Sequence, residues 1–346
     1  MSKRILFVGG TTGGGVATIN NEVTRVFREA GWHCDRVDTE AWKARFPAPV
    51  AYLAAYLQTM ATIIGRRPGI VYLQLAQTGY LHQSLFLLWA KLLGRRTIAH
   101  FHAKADVKGT TTARQFRQIL FSQRYTDELI LLTEPCRRGL TAHGWTGRTH
   151  VVPNFISTTE LPTKLSPVVD RKPILFLGRM EREKGIFEII DVARRLPDEE
   201  FIFVGNFADQ NQERQFQAAL TTVPNASWVG PLYGASKYEV IARSRFLLFP
   251  TWRDEFPMTL IEATILGCIP LVTPVGSVGE IIRDGFNGVF VEPGDVEGMV
   301  ARIKSLQARD DLQTMAENGI GFARAQFTSE AARDRLLSIV GMEHED

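Results

Sequence analysis

The chain has 346 residues, 45% hydrophobic and 22% charged, which suits two domains of about 150 to 175 residues and excludes a disordered tail. Its three cysteines, Cys34, Cys136 and Cys268, are far apart, so neither a disulfide framework nor a CxxC metal pair is expected, and a reducing cytoplasm is. The net charge of +3 is uneven: residues 1–160 carry 20 Lys and Arg against 10 Asp and Glu, and residues 161–346 carry 20 against 27. The basic half suits an anionic partner on that side, or simply solvated helical faces. Its cations are not interleaved with aromatics, so nucleic acid is not an expected partner.

In chain order, Ile5-Leu6-Phe7-Val8 follows Met1-Ser2-Lys3-Arg4. This apolar run is too short for a signal peptide and reads as a first strand. Further β-rich runs fall at 33–37, 70–75, 97–101, 128–132 and 150–152, with helical patterns such as 16–30 and 81–93 between them. The alternation predicts a mostly parallel sheet. Residues 153–173 hold Pro, Ser and Thr with little periodicity and read as a linker. The series then restarts at 174–178, 201–205, 227–229, 246–249, 269–273 and 289–291, and a last helix covers about 329–340. No window of about 18 residues lacks polar interruption, so no membrane-spanning helix is expected. The fold class is therefore α/β, with two Rossmann-like doubly wound domains whose ligand crevices lie at the carboxyl ends of their strands. If the sheets face each other, the site is the cleft between them.

Two motifs invite a dehydrogenase reading. Gly9-Gly10-Thr11-Thr12-Gly13-Gly14-Gly15 follows the first strand, but it is neither GxGxxG nor a Walker loop. Its glycines allow close approach to an anion or sugar, or make a tight turn. Tyr233-Gly234-Ala235-Ser236-Lys237 has the spacing of a Tyr/Lys proton-transfer pair, yet no dinucleotide fingerprint precedes it.

The second half carries more specific chemistry. The run at 174–177 ends in Gly178-Arg179 and, five residues later, Lys184-Gly185. Two cations at a strand end suit a diphosphate, although Glu181 or Glu183 could pair with them. The run at 246–249 leads to Asp254-Glu255-Phe256-Pro257-Met258-Thr259 and then Glu262. Pro257 suits the first helical position, and the N–H groups of Met258 and Thr259 would face an anion. Glu262, one turn on, suits a ribose diol. The competing reading makes Asp254 an N-cap and Glu262 a solvated surface group. His100 and His102, with Asp106 nearby, are open to three readings: metal ligands, structural histidines, or a sugar contact through His102.

With Gly178-Arg179…Lys184-Gly185, Asp254-x7-Glu262-Ala263, Gly267-Cys268-Ile269-Pro270 and the stretch Gly276 to Gly288, the second half resembles the family-4 retaining glycosyltransferases of the GT-B fold (glycosyl transferases group 1), of the bacterial polysaccharide and glycolipid type. The first half matches more loosely, through the Gly-rich turn, His102 and Val151-Val152-Pro153-Asn154.

The resemblance implies an acceptor-side domain at 1–156, onto which a C-terminal helix at about 329–346 packs back. A linker at 157–172 and a donor-binding domain at 173–328 follow. It implies that Arg179 and Lys184 grip the donor diphosphate after the Gly178 turn, and that Glu262 holds the ribose. Backbone near Leu232 meets the base. Asp254 and the N–H groups of Phe256, Met258 and Thr259 meet the donor sugar and phosphates. Gly14 and Gly15 lie under the diphosphate, and His102 meets the sugar. Asp254 stands where the family usually has Glu, so Glu255 is the alternative sugar contact.

The implied activity is that of a retaining hexosyltransferase needing no metal or other cofactor. It would move a sugar from a UDP- or GDP-linked donor to a saccharide or lipid-linked acceptor in cell-surface polysaccharide synthesis. A non-catalytic nucleotide-sugar-binding subunit and an NAD(P)-dependent oxidoreductase are the alternatives. Lys43, Arg45, Arg66 and Arg67 flank the apolar stretch 51–64, with Trp42 and Phe46 just before it. That segment suits peripheral contact with an anionic membrane surface, or an ordinary packing helix.

Overall fold

The computed structural model describes residues 3–10, 14–75, 80–102 and 113–341. Gly13 and Asp106 lie outside them. The chain divides into two compact units, residues 1–155 with 329–346, and residues 156–328.

The first unit holds β1 (Arg4–Gly9), α1 (Gly14–Glu29), β2 (His33–Asp38), α2 (Thr39–Lys43), α3 (Ala48–Arg66) and β3 (Ile70–Leu75). α4 (Tyr80–Leu92), β4 (Arg96–Phe101), α5 (Ala113–Ser122), β5 (Glu128–Leu131), α6 (Glu134–Ala142) and β6 (Arg148–Val151) follow. Its six strands run parallel in the order β2-β1-β3-β4-β5-β6. β1, β3, β4 and β5 are buried along most or all of their length, as strands covered on both faces must be.

The second unit holds β7 (Ile174–Leu177), α7 (Ile186–Arg195), β8 (Phe201–Val204), α8 (Gln210–Leu220), β9 (Ala226–Trp228) and α9 (Gly234–Arg243). β10 (Phe246–Phe249), α10 (Met258–Ile265), β11 (Ile269–Val272), β12 (Val289–Phe290), α11 (Val296–Gln307) and α12 (Leu312–Gln326) complete it. Its six strands are also parallel, in the order β12-β11-β10-β7-β8-β9. Its core is aromatic, with Phe176, Phe203, Phe216 and Phe246 fully buried.

The last helix, α13 (Ser329–Gly341), belongs to the first unit. The buried Arg96 donates to the carbonyls of Ile339 (2.7 Å) and Val340 (3.1 Å) and to Glu128 Oε1 (2.8 Å). A guanidinium thus satisfies carbonyls at the end of α13 where the helix dipole favours positive charge. Residues 157–172 are not a free connection. Val168 and Arg171 are buried, and Arg171 donates to Leu266 O (2.9 Å) and Ser166 O (2.7 Å). The low periodicity of this stretch reflects irregular backbone tied down by side chains.

Among the described helices, α3 is long and apolar enough by length and composition alone to cross a membrane, despite its polar interruptions. Its polar interruptions Gln58, Thr59 and Thr62 are uncharged, so hydropathy stays high. Ala51, Ala55, Thr59 and Ile63 form the buried stripe at helical spacing, while Val50, Leu53, Leu57 and Ile64 are exposed.

Candidate active site

In the second unit the carboxyl ends of β7 and β10 carry the charged groups. After β7 the chain turns tightly: Lys184 N donates to Glu181 O (2.9 Å) and Gly185 N to Arg182 O (3.0 Å). Gly185 has φ 78°, and a Cβ there would stand 2.7 Å from Pro250 O. Only glycine lets this turn press against the end of β10. Trp252 N then donates to Glu183 O (2.9 Å), locking the two strand ends together.

Lys184 is buried. Its Nζ donates to Arg253 O (2.9 Å) and Asp254 Oδ2 (2.7 Å) and lies 5.6 Å from the centre of the Phe249 ring. Arg179 differs: its side chain is 68% exposed and pairs with Glu181 at 2.7 Å. An exposed pair of this kind is worth about 1 kcal/mol or less, so an anion can recruit Arg179 at little cost.

The segment from Asp254 to Pro257 leads into α10. Gly276 fixes it from outside, with φ 59° and Asp254 O where a Cβ would be, while Ser277 N donates to Glu255 O (2.8 Å). Pro257 is the N-cap of α10 and not its first helical residue, and no side chain caps the helix. Asp254 is therefore no cap here, and its carboxylate serves Lys184 instead. The helix begins with Met258 and Thr259, whose N–H groups no capping side chain occupies.

Glu262 follows one turn after Met258 and is buried. Its Oε1 accepts from Lys237 Nζ at 2.7 Å. Burial raises the Glu262 carboxyl above its usual range, and the Lys237 charge opposes that shift. This pairing also removes the dehydrogenase reading of Tyr233 and Lys237. Tyr233 is 75% exposed, and the ammonium is spent on Glu262. Leu232 is half-buried in the loop after β9, and Phe256 is buried with its ring 6.0 Å from that of Phe327.

A cavity of about 650 Å³ also opens beside the 181–183 turn. Four carboxylates, Glu181, Glu183, Glu188 and Asp209, line it against one cation, Arg182, so its net field disfavours a diphosphate. The anion site fits the Lys184 and α10 side of the turn.

In the first unit, Gly14 and Gly15 open α1. His102 follows β4, its N–H donating to Leu75 O at 3.0 Å. The rings of His100 and His102 lie 4.1 Å apart, and His100 Nδ1 is 2.8 Å from Tyr72 Oη. Burial pushes His102 down to about 4, against a raising hydrogen bond from Asn154. His102 is therefore a neutral imidazole near pH 7. Asp106, the third group of the metal reading, lies outside the described residues.

The depressed His102 makes a stability prediction. The unfolded chain takes up a proton near 6.5 that the folded one refuses until about 4. The stability this contributes is present above pH 6.5 and is lost as pH falls towards 4. Urea unfolding at pH 7 and pH 5 is expected to show a loss about 2 kcal/mol larger in the native protein than in His102→Gln. Equal losses would contradict the buried neutral imidazole.

A cavity of about 330 Å³ lies at the carboxyl ends of β1 and β3, lined among others by Gly10, Glu40, Tyr52, Gln74 and Gln83. Gln74 is buried, and neither polar atom of its amide finds a hydrogen-bond partner among the described residues. Such a group costs about 1–3 kcal/mol unless something fills its valence.

Two parallel doubly wound sheets, with two cations and a bare helix N-terminus at one set of strand ends, define the GT-B class of glycosyltransferase fold. Residues 157–321, which lie within the second unit, match the family described as glycosyl transferases group 1. The lipopolysaccharide core biosynthesis glycosyltransferase LpsE of Rhizobium meliloti is 23% identical over 63% of this chain and 65% of its own length. Glycogen synthase of Mycobacterium tuberculosis is 29% identical over 50% of this chain and 41% of its own. The chain thus spans less than two thirds of these relatives. Among solved structures, Anabaena HepE in complex with UDP superposes with a TM-score of 0.77 at 15% identity, covering 97% of this chain and 99% of that one. Sucrose-phosphate synthase of Thermosynechococcus elongatus gives 0.79 at 14% identity, covering 97% and 98%.

Proposed function

We propose that the chain is a retaining glycosyltransferase that takes a sugar from a nucleoside diphosphate and delivers it to a hydroxyl of a saccharide or lipid-linked acceptor. The observation that carries this is the buried Lys184, held by Asp254 in the segment that leads into α10. A fixed ammonium and free helix N–H groups stabilise the diphosphate as it departs, and Arg179 swings in as a second cation. This gives the leaving group its counter-charges from the protein itself, so transfer is expected to survive chelation of divalent ions.

Glu262 holds the ribose, and the Leu232 loop meets the base. The neutral His102 offers a sugar hydroxyl an uncharged hydrogen-bond partner. Retention follows a front-face course. The bond from the sugar carbon to the phosphate oxygen breaks, the bond to the acceptor oxygen forms on the same face, and the acceptor proton passes to the departing phosphate. The cavity at β1 and β3, with its unpartnered Gln74 amide, suits an acceptor rich in hydroxyls. The UDP complex of HepE and the names of LpsE and glycogen synthase support a UDP- or other nucleotide-linked donor and a saccharide acceptor. LpsE also supports a place in cell-surface polysaccharide synthesis.

The direct test incubates the protein with UDP-, GDP- and ADP-linked sugars, with and without EDTA, and measures release of the nucleotide. Release that is insensitive to EDTA is expected for one of them. Binding without turnover would make the protein a nucleotide-sugar-binding subunit.

The exposed side of α3 supports attachment to an anionic membrane on the cytoplasmic face. Val50, Leu53, Leu57 and Ile64 form its apolar surface, and the surrounding half of the chain is strongly basic. Trp42 is half-buried against the core of the first unit, and its indole N–H donates to Gln58 Oε1 on α3 at 2.8 Å. Co-sedimentation with phosphatidylglycerol vesicles is expected to exceed that with phosphatidylcholine at least about fivefold, at about 1 kcal/mol per basic side chain near the surface. Leu57→Glu should abolish it. Equal partition between the two lipids would contradict the attachment.

A further inference from the structure

Lys237 has no part in the functional reading above, yet its ammonium meets a buried carboxylate of the donor site. It sits on α9, 25 positions before Glu262 on α10, and its Nζ donates to Glu262 Oε1 at 2.7 Å. The Lys237 side chain is 21% exposed and that of Glu262 is 7%. Its Nζ also lies 4.7 Å from the centre of the Tyr238 ring. Among the described residues no donor other than Lys237 reaches Glu262.

We infer that Lys237 is a positioning residue for the donor's ribose: it fixes the Glu262 carboxylate so that the second oxygen accepts from the 2′- and 3′-hydroxyls. A diol donates two hydrogen bonds, and a carboxylate anchored at one oxygen presents the other in a single orientation. Without Lys237, Glu262 is a lone buried carboxyl. Burial favours its protonated form, which accepts less well from a diol. The pair therefore selects ribonucleotides over nucleotides that lack the diol. A purely structural bridge between α9 and α10 would affect stability and leave that selection untouched.

This inference rests on the proposed nucleotide site, and one titration separates the two. The intact protein is titrated with UDP, GDP and ADP and with their 2′,3′-dideoxy counterparts, and the same is done for Lys237→Met and Lys237→Arg. The native protein is expected to bind one ribonucleotide at least tenfold more tightly than its dideoxy form. Lys237→Met should bring that ratio below threefold by weakening the ribonucleotide alone, and Lys237→Arg should keep most of it. A ratio unchanged in Lys237→Met overturns the positioning role alone. A native ratio near one overturns the ribose contact of Glu262 and this inference with it. No binding of any nucleotide overturns the proposed function itself. If Lys237→Met does not fold, Lys237→Gln is read against the same ratio.

Discussion

Lys184→Ala is expected to lower kcat/KM by about 100- to 1000-fold, or about 2.7–4 kcal/mol of transition-state stabilisation, with the circular dichroism spectrum unchanged. The reason is its placement. Lys184 is buried and already oriented by Arg253 O and Asp254, so its charge needs no reorganisation when the diphosphate departs. Arg179→Ala should cost less, about tenfold, because that side chain is exposed and must leave Glu181 to act. Steady-state kinetics with the donor identified by nucleotide release checks both. Normal kcat/KM in Lys184→Ala would remove the diphosphate assignment.

Asp254→Ala is the second large effect expected. A capping aspartate would lose about 1 kcal/mol of stability and leave kinetics nearly normal. Asp254 does not cap α10; it holds Lys184. Its removal should therefore lower kcat/KM at least about tenfold, since 1.4 kcal/mol of lost transition-state binding is tenfold. The double variant Lys184→Ala/Asp254→Ala should be little worse than Lys184→Ala alone, because the two side chains act as one unit. Glu255→Ala is the control. Were it the inactive variant and Asp254→Ala the active one, the donor sugar contact would belong to Glu255.

The fold was legible because each strand is a short run of buried apolar residues, such as Ile5 to Val8 or Phe246 to Phe249, bounded by glycine or polar turns. The ends of elements shifted by a residue or two, as at Pro257, where the cap and the first helical position are adjacent. Long-range pairings were not legible. Lys237 invited comparison with Tyr233, its neighbour in sequence, while its partner is Glu262 on the next helix. The capping reading of Asp254 used local spacing, and the competitor was Lys184, 70 positions away. Gln74 is a polar residue in the apolar run at 70–75, and only the packed sheet leaves its amide without a partner among the described residues, at the wall of a cavity. Arg171 and Val168 likewise looked like parts of a linker until Leu266 and Gln313 met them.

The central claim is a nucleoside diphosphate site built on Lys184 and the start of α10. Isothermal titration of the native protein and of Lys184→Ala with UDP, GDP and ADP, all in EDTA, tests it most directly. The account predicts that one of the three binds the native protein and that Lys184→Ala weakens that binding at least tenfold. Absence of binding by all three, or equal affinity in the variant, would contradict it.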